Sequence, residues 1–187
     1  MSSLLELIDN SKTDKNTTHS YIEIYENLLI SKKDTAKNIL EIGIDAGGSI
    51  KLWHDYFTNA VIYGLDIRFN NCCDEIKNKK RIILSCSDAY NTNCHLLNET
   101  TNYEKKYDMI LDDGDHTLEH MIQCINLYSP LLTDDGIMII EDVQSIDWIE
   151  TLYINTPNHL KKYVEIQDLR PNKGRYDDIL FIINKNK

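Results

Sequence analysis

The sequence predicts an α/β fold, a mostly parallel sheet of seven strands with helices on both faces. Two observations lead there. From residue 38 onward, short apolar runs alternate with stretches of helical periodicity. The runs also end on acids, at Asp66, Asp88, Asp112–Asp113 and Glu141–Asp142. In open sheets of this kind ligands bind beyond the carboxyl ends of the strands. A merely solvated surface would scatter its acids instead.

The elements follow in order. "SLLELI" (3–8) has the makings of a short helix, and "TDKNTTHS" (13–20) is polar and loop-like. "YIEIYENLLI" (21–30) carries apolar residues at helical spacing, with Ser20 placed to cap it. "NILEIGI" (38–44) reads as a buried strand with one acid, "DAGG" (45–48) as a turn and "SIKLWHDYF" (49–57) as a helix. Strands are expected at 60–67, 81–88, 107–115 and 136–143. "TLEHMIQCINLYSPLL" (117–132) is an amphipathic helix, with Leu118, Met121, Ile122, Ile125 and Leu132 along one side, and "IDWIETLYI" (146–154) is another helix. Two closing strands, 163–169 and 177–185, flank a basic loop, "RPNKGRY" (170–176).

A chain of 187 residues suits one domain, 1–187, with a helical segment over 1–36 and the α/β core over 37–187. The net charge of −10 disfavours phosphate backbones and anionic lipid, so neither nucleic acid nor membrane is expected as a partner. Five cysteines, an odd number with no C-x-x-C pair, indicate a reduced, cytoplasmic protein. Nothing reads as a signal peptide or a membrane span.

"LEIGIDAGGS" places glycines between the first strand and the first helix, where Gly43, Gly47 and Ser49 would let a nucleotide approach the backbone. A tight βα turn would need the same glycines, and G-x-x-x-G-G is not the dinucleotide fingerprint. Asp66 tilts the balance, because an acid at the tip of strand two can accept from both ribose hydroxyls. Glu41, just before the turn, would repel a dinucleotide phosphate but not a ligand bearing an ammonium and a sulfonium. S-Adenosylmethionine is therefore favoured over NAD.

"LDDGDHTLEH" (111–120) contains an H-x-x-E-H pattern, which on a helix could bind zinc. Here it directly follows D-D-G at a strand end, and Asp113 would crowd such a site with charge. The acids suggest a different use. Asp113, Glu141 and Asp142 end adjacent strands, and three oxygen donors suit Mg²⁺ or another hard divalent cation. The competing reading is that one or two of them cap helices. His116, three residues after Asp113, is placed either to take a proton from a hydroxyl or to open the next helix.

These stretches resemble a known family. "NILEIGIDAGGSIKLWHDYFTNAVIYGLDI" looks like the first βαβ unit of class I S-adenosylmethionine-dependent methyltransferases. "TDKNTTHSYIEIYENLL", "DDGDHTLEHM", "GIMIIEDVQ" and "DLRPNKGRYDDILFII" resemble the macrocin and mycinamicin type of metal-dependent sugar O-methyltransferase. The resemblance implies a Rossmann-like sheet whose last strand is antiparallel. It implies a metal held by Asp113, Glu141 and Asp142, His116 as general base, and Thr13, Lys15 and His19 near the methionine end of the cofactor. Asp88 would contact adenine, although "SCSD" replaces the family's Gly-Asp-Gln after strand three, and Asp112 would join the cofactor pocket. The macrolide members carry an extra N-terminal domain, for which no counterpart is expected in these 187 residues.

The implied acceptor is a sugar hydroxyl of a glycan, nucleotide-sugar or glycoside, and a homo-oligomer is left open. Catechol-type O-methyltransferases place Lys where this chain has His116, and Asp-Asn where it has Glu141–Asp142, so phenols are the second choice. A methyltransferase-like binding protein without turnover is the third. Tyr90, Trp148 and Tyr153 could stack on a sugar face, and Lys173 and Arg175 could meet a phosphate.

Overall fold

A computed structural model describes residues 2–69, 71–92, 94 and 105–187. The strands are β1 (Asn38–Ile42), β2 (Val61–Asp66), β3 (Ile82–Cys86), β4 (Tyr107–Asp112), β5 (Leu132–Ile140), β6 (Val164–Asp168) and β7 (Ile179–Asn184). They form one sheet in the order β3-β2-β1-β4-β5-β7-β6. Every pairing from β3 across to β5 is parallel, whereas β7 runs antiparallel to both β5 and β6. The expected α/β architecture with an antiparallel last strand is the one observed.

The described helices are α1 (Leu4–Leu7), α2 (Ile22–Leu29), α3 (Gly48–Tyr56), α4 (Asp74–Lys77), α5 (Leu118–Tyr128), α6 (Trp148–Asn155) and α7 (Arg170–Lys173). Two apolar layers sandwich the sheet. One joins Ile39, Met109, Leu111, Ile137 and Ile139 to α1, α2 and α3 through Leu4, Tyr25, Leu29 and Trp53. The other joins Leu40, Ile42, Ile110, Met138 and Ile140 to α5 and α6 through Met121, Ile125, Tyr128 and Leu152. Successive strand residues feed opposite layers, as the two-residue period requires.

Some elements depart from the sequence reading. Ser20 does not cap α2: the cap residue is Tyr21, without a side-chain bond, and the buried Ser20 hydroxyl has no partner. The helix at 117–132 stops at Tyr128, because Pro130 lies in the next turn and Leu132 already opens β5. Residues 170–173 of the expected loop form one helical turn, ended by Gly174 at φ 71°. All five cysteines are free thiols. No described helix is long and apolar enough to cross a membrane.

Candidate active site

The carboxyl ends of β1, β2 and β4 open onto a cleft of about 910 Å³, within the range of small-molecule sites. Its floor is the β1–α3 turn. Gly43, at φ 79°, donates its N–H to Leu65 O at 2.8 Å, and Asp113 N donates to Ile42 O at 2.8 Å. A Cβ on Gly43 would stand 1.9 Å from Asp113 O, so only glycine lets the tips of β1 and β4 approach this closely. Gly47, at φ 83°, is the left-handed cap of α3. Asp66 closes the turn from β2: its Oδ2 accepts from Ile44 N at 2.9 Å, and its Oδ1 accepts from Arg68 N at 3.1 Å. A carboxylate has about four acceptor positions, so it can take ligand hydroxyls as well.

Of the expected cofactor residues, Thr13, Gly43, Ser49, Asp66 and Asp88 line the cleft. Lys15, His19, Glu41, Gly47 and Asp112 are not among its lining residues. Strand alternation is the reason for the acids. Asp112 follows Ile110 onto the α5 face, where the Tyr90 hydroxyl donates to it at 2.7 Å. Burial pushes its pKa up to about 6, against the hydrogen bonds from Tyr90 and Cys124 that favour the charged form. Glu41 follows Ile39 onto the opposite face. Its Oε2 accepts from Trp53 Nε1 at 3.0 Å, and burial raises its pKa to about 7.

The same face receives Glu141. The Tyr25 hydroxyl donates to its Oε1 and the Lys15 ammonium to its Oε2. Lys15 is 1% exposed and also donates to Asp113 Oδ2 at 2.7 Å, with Glu41 Oε1 at 3.8 Å. Burial alone would lower the lysine pKa, but Asp113, Glu141 and Glu41 outweigh it and hold it well above its ordinary value. The structure therefore places Lys15 among carboxylates rather than in the cofactor cleft, and it turns Glu141 away from the open side. Here the expected metal trio is not brought together.

A different trio is. One ligand atom each from Asp113, His116 and Asp142 lie within 4.8 Å of one another, the one such grouping among the described residues. His116 Nε2 is 3.6 Å from Asp142 Oδ2 and 3.9 Å from Asp113 Oδ1. All three residues line the cleft. His116 and Asp142 have left-handed backbones, φ 57° and 54°, a conformation that side chains other than glycine adopt at a cost. Asp142 is braced from behind by the Tyr21 hydroxyl and by His19 Nδ1 at 3.3 Å. His19 also reaches Asp178 at 3.2 Å, so it serves this brace and not the cleft. Burial, reinforced by Asp113, raises the Asp142 pKa.

The zinc motif does not assemble. Thr117 caps α5, His116 precedes the helix, and His120 pairs with Asp115 at 2.6 Å while stacking on Tyr90 at 4.3 Å. The basic loop is not poised for phosphate either. Lys173 donates to the carbonyls of Asn16, Thr17 and His19, and Arg175 grips Asp177 at 3.0 and 2.6 Å. Tyr90 is a cleft wall, whereas Trp148 packs in part against the α5–α6 layer. Tyr21 and Tyr25 were missed by sequence reasoning. The signal available was their helical spacing beside Lys15, which reads as ordinary core packing.

No family model matches the chain. The chain is 26% identical over 147 residues to the 8-demethyl-8-alpha-L-rhamnosyl tetracenomycin-C 2'-O-methyltransferase of Streptomyces olivaceus, covering 73% of this chain and 36% of the relative. It is 28% identical over 153 residues to the demethylmacrocin O-methyltransferase of Streptomyces fradiae, covering 78% and 37%. The chain thus spans little more than a third of the length of these relatives. Among solved structures, the MycE methyltransferase of the mycinamycin biosynthetic pathway, in complex with Mg and SAH, superposes with a TM-score of 0.73. That match has 20% identity and covers 98% of this chain and 55% of that one. The resemblance to sugar O-methyltransferases of the macrocin and mycinamicin type is thus found in both sequence and fold.

Proposed function

We propose that this chain is the catalytic domain of a metal-assisted sugar O-methyltransferase that uses S-adenosylmethionine. The observation that carries the reading is the meeting of two sets of residues in one cleft: Gly43, Ser49 and Asp66 on one side, Asp113, His116 and Asp142 on the other. The similarity to glycoside O-methyltransferases supports it.

The residues present suit both groups. The cleft wall is rich in acids, Asp45, Asp66, Asp88 and Asp113 among them, which favours a ligand with ammonium and sulfonium charges over one with phosphates. The carboxylates of Asp113 and Asp142 suit a hard divalent cation completed by water or hydroxyl oxygens, which leaves the His116 imidazole beside them free to take a proton. Asp113 and Asp142 would hold such a cation, and Glu141 would support Asp113 from behind through Lys15. S-Adenosylmethionine supplies an electrophilic methyl, and a divalent cation lowers the pKa of a nearby hydroxyl.

The remaining steps belong to the chain itself. Asp66 accepts hydrogen bonds from the cofactor's ribose. His116 Nε2 accepts the acceptor hydroxyl's proton, and the nearby carboxylates of Asp142 and Asp113 stabilise the imidazolium that results. Tyr21 and His19 keep Asp142 facing His116.

The test is methyl transfer from labelled S-adenosylmethionine, with Mg²⁺, to rhamnosides, other simple glycosides, nucleotide-sugars and catechols. A methyl ether on a sugar hydroxyl is expected. Methylation of catechols alone, or of nothing in the panel, sinks the reading. His116→Ala should lower turnover by about 10²–10⁴-fold, with affinity for S-adenosylhomocysteine unchanged. Near-normal turnover in that variant would remove His116 from the mechanism.

A further inference from the structure

The basic loop after β6 holds itself in place and reaches outward through one side chain. Arg170 pairs with Asp168 at 2.7 Å, and Arg175 pairs with Asp177 at 2.6 Å, each within its own loop. Between them α7 ends at Gly174. Lys173 instead crosses to another part of the chain. Its ammonium donates to the backbone carbonyls of Asn16, Thr17 and His19.

The segment it reaches is a wall of the cleft. Asn10, Ser11, Lys12, Thr13, Asp14 and Thr17 all line the cavity that Asp66 and Asp88 also line. One end of the segment is seated on α3: a Cβ on Gly48 would stand 2.3 Å from Lys12 O. The other end is a turn in which the amides of Thr17, Thr18 and His19 all donate to Asp14 O. The amides of that turn are thus satisfied internally, and three of its carbonyls are taken by Lys173.

We propose that Lys173 is a positioning residue of the cofactor cleft. By gathering three carbonyls on one ammonium it holds the 10–17 segment as a fixed wall against which S-adenosylmethionine binds. The part concerning the cofactor rests on the function proposed above.

The physical case is one of matched donors and acceptors. An ammonium has three N–H donors and no acceptor, so three carbonyls use its whole capacity. A turn ends with carbonyls that have no partner within it, and a lysine is suited to take them. Lys15 and His19 tie the segment down through their own side chains, on Asp113 and Asp178. Residues 16–18 between them are not buried, and that is the stretch Lys173 grips. A polar stretch with few apolar contacts opens locally at little cost, and a wall that opens releases its ligand. Charge alone predicts the opposite sign. Removing a positive group beside the cleft would favour a cationic ligand, whereas loss of the clamp weakens its binding.

The experiment uses the full chain with Lys173→Met and, as control, Arg170→Met. The control makes the same change in charge at a residue that grips only its own loop. Lys173→Met should release labelled S-adenosylmethionine about five-fold faster and raise its Kd in proportion, while Arg170→Met should stay within about two-fold of wild type. A Lys173 that serves stability alone predicts a lower thermal midpoint with release unchanged. Release within about two-fold of wild type in Lys173→Met, or an equal acceleration in Arg170→Met, overturns the proposal.

Hydrogen exchange on the cofactor-free chain, read by NMR, gives the second arm. The amides of Thr17, Thr18 and His19 should exchange about five-fold faster or more in Lys173→Met, with those of β4 within about two-fold of wild type. Unchanged exchange at all three amides overturns the proposal whatever the release rate. If the wild-type chain binds neither S-adenosylmethionine nor S-adenosylhomocysteine, the cofactor reading fails by itself. Local acceleration at the three amides then still supports the clamp, and its absence overturns it.

Discussion

Gly43→Ala tests whether the tips of β1 and β4 are as tightly joined as the geometry demands. The added Cβ would lie 1.9 Å from Asp113 O and 2.6 Å from Asp113 C, both backbone atoms. The residue would also keep φ 79°, which favours glycine. A left-handed non-glycine residue costs about 1–2 kcal/mol, and forcing an extra methyl into a packed site costs about 1–3 kcal/mol more. Together these predict a loss of roughly 3 kcal/mol. With a urea slope of about 2 kcal/mol per molar, the unfolding midpoint should fall by about 1.5 M.

Gly174 provides the control. It has φ 71°, but a Cβ there meets nothing within 4 Å. Gly174→Ala should therefore show the conformational cost alone, about 1 kcal/mol. Urea unfolding followed by the fluorescence of buried Trp53 reads both variants. The site should respond as well, since relief of the contact moves Asp113 by about 1 Å, a displacement that can lower turnover by about 10²-fold. A Gly43→Ala midpoint within about 0.2 M of wild type, or equal to that of Gly174→Ala, would refute the close approach on which the shape of the site depends.

Asp66→Ala should weaken binding of S-adenosylhomocysteine by about 1–3 kcal/mol, and calorimetry showing unchanged affinity would remove Asp66 from the cofactor site. A chelator should abolish methyl transfer and Mg²⁺ should restore it, with Asp142→Asn mimicking the chelator while leaving S-adenosylhomocysteine affinity within about three-fold; full turnover in excess chelator rules the metal out. Asp112 supplies a pH dependence. Its folded pKa, about 6 through burial, lies above its unfolded value, so the protonated form is the one the fold favours. Its contribution is present in full below about pH 4, fades as pH rises to about 6, and amounts to roughly 3 kcal/mol across that window. Asp112→Asn should thus gain about that much relative to wild type between pH 4 and pH 7, measured by urea unfolding. A constant difference would show that Asp112 is not held in an apolar setting.

Much of the fold was legible because its signals are local. Apolar runs of strand length, helical periods and glycine at the first turn placed all seven strands within a few residues. The acids were legible as a set at the strand tips. Their division was harder to see, although half of it follows from alternation alone. Glu41 shares a face with Ile39, and Asp112 with Ile110, so each turns into a different layer beneath the cleft. Applied to β5, the same count sends Glu141 with Ile139 toward α2 and α3. Position along the strand puts Glu41 and Asp112 at the cleft end of the sheet, and the face each side chain takes sets it beneath the cleft rather than along its wall.

What alternation could not supply is the behaviour of residues just past the strands. Asp142 would follow Ile140 onto the α5 face if the extended backbone continued, but φ 54° ends the alternation. His116 has the same left-handed backbone. Their convergence on Asp113 depends on two backbone conformations that neither residue type announces, and on a Tyr21–His19 brace contributed from more than a hundred residues earlier. Lys15 illustrates the same limit. In a polar loop of "TDKNTTHS" a lysine reads as solvated, and only its three distant carboxylates make burial tolerable. The N-terminal segment thus shapes the site as directly as the strand tips do, through Lys15 on Asp113, Tyr21 and His19 on Asp142, and Tyr25 on Glu141.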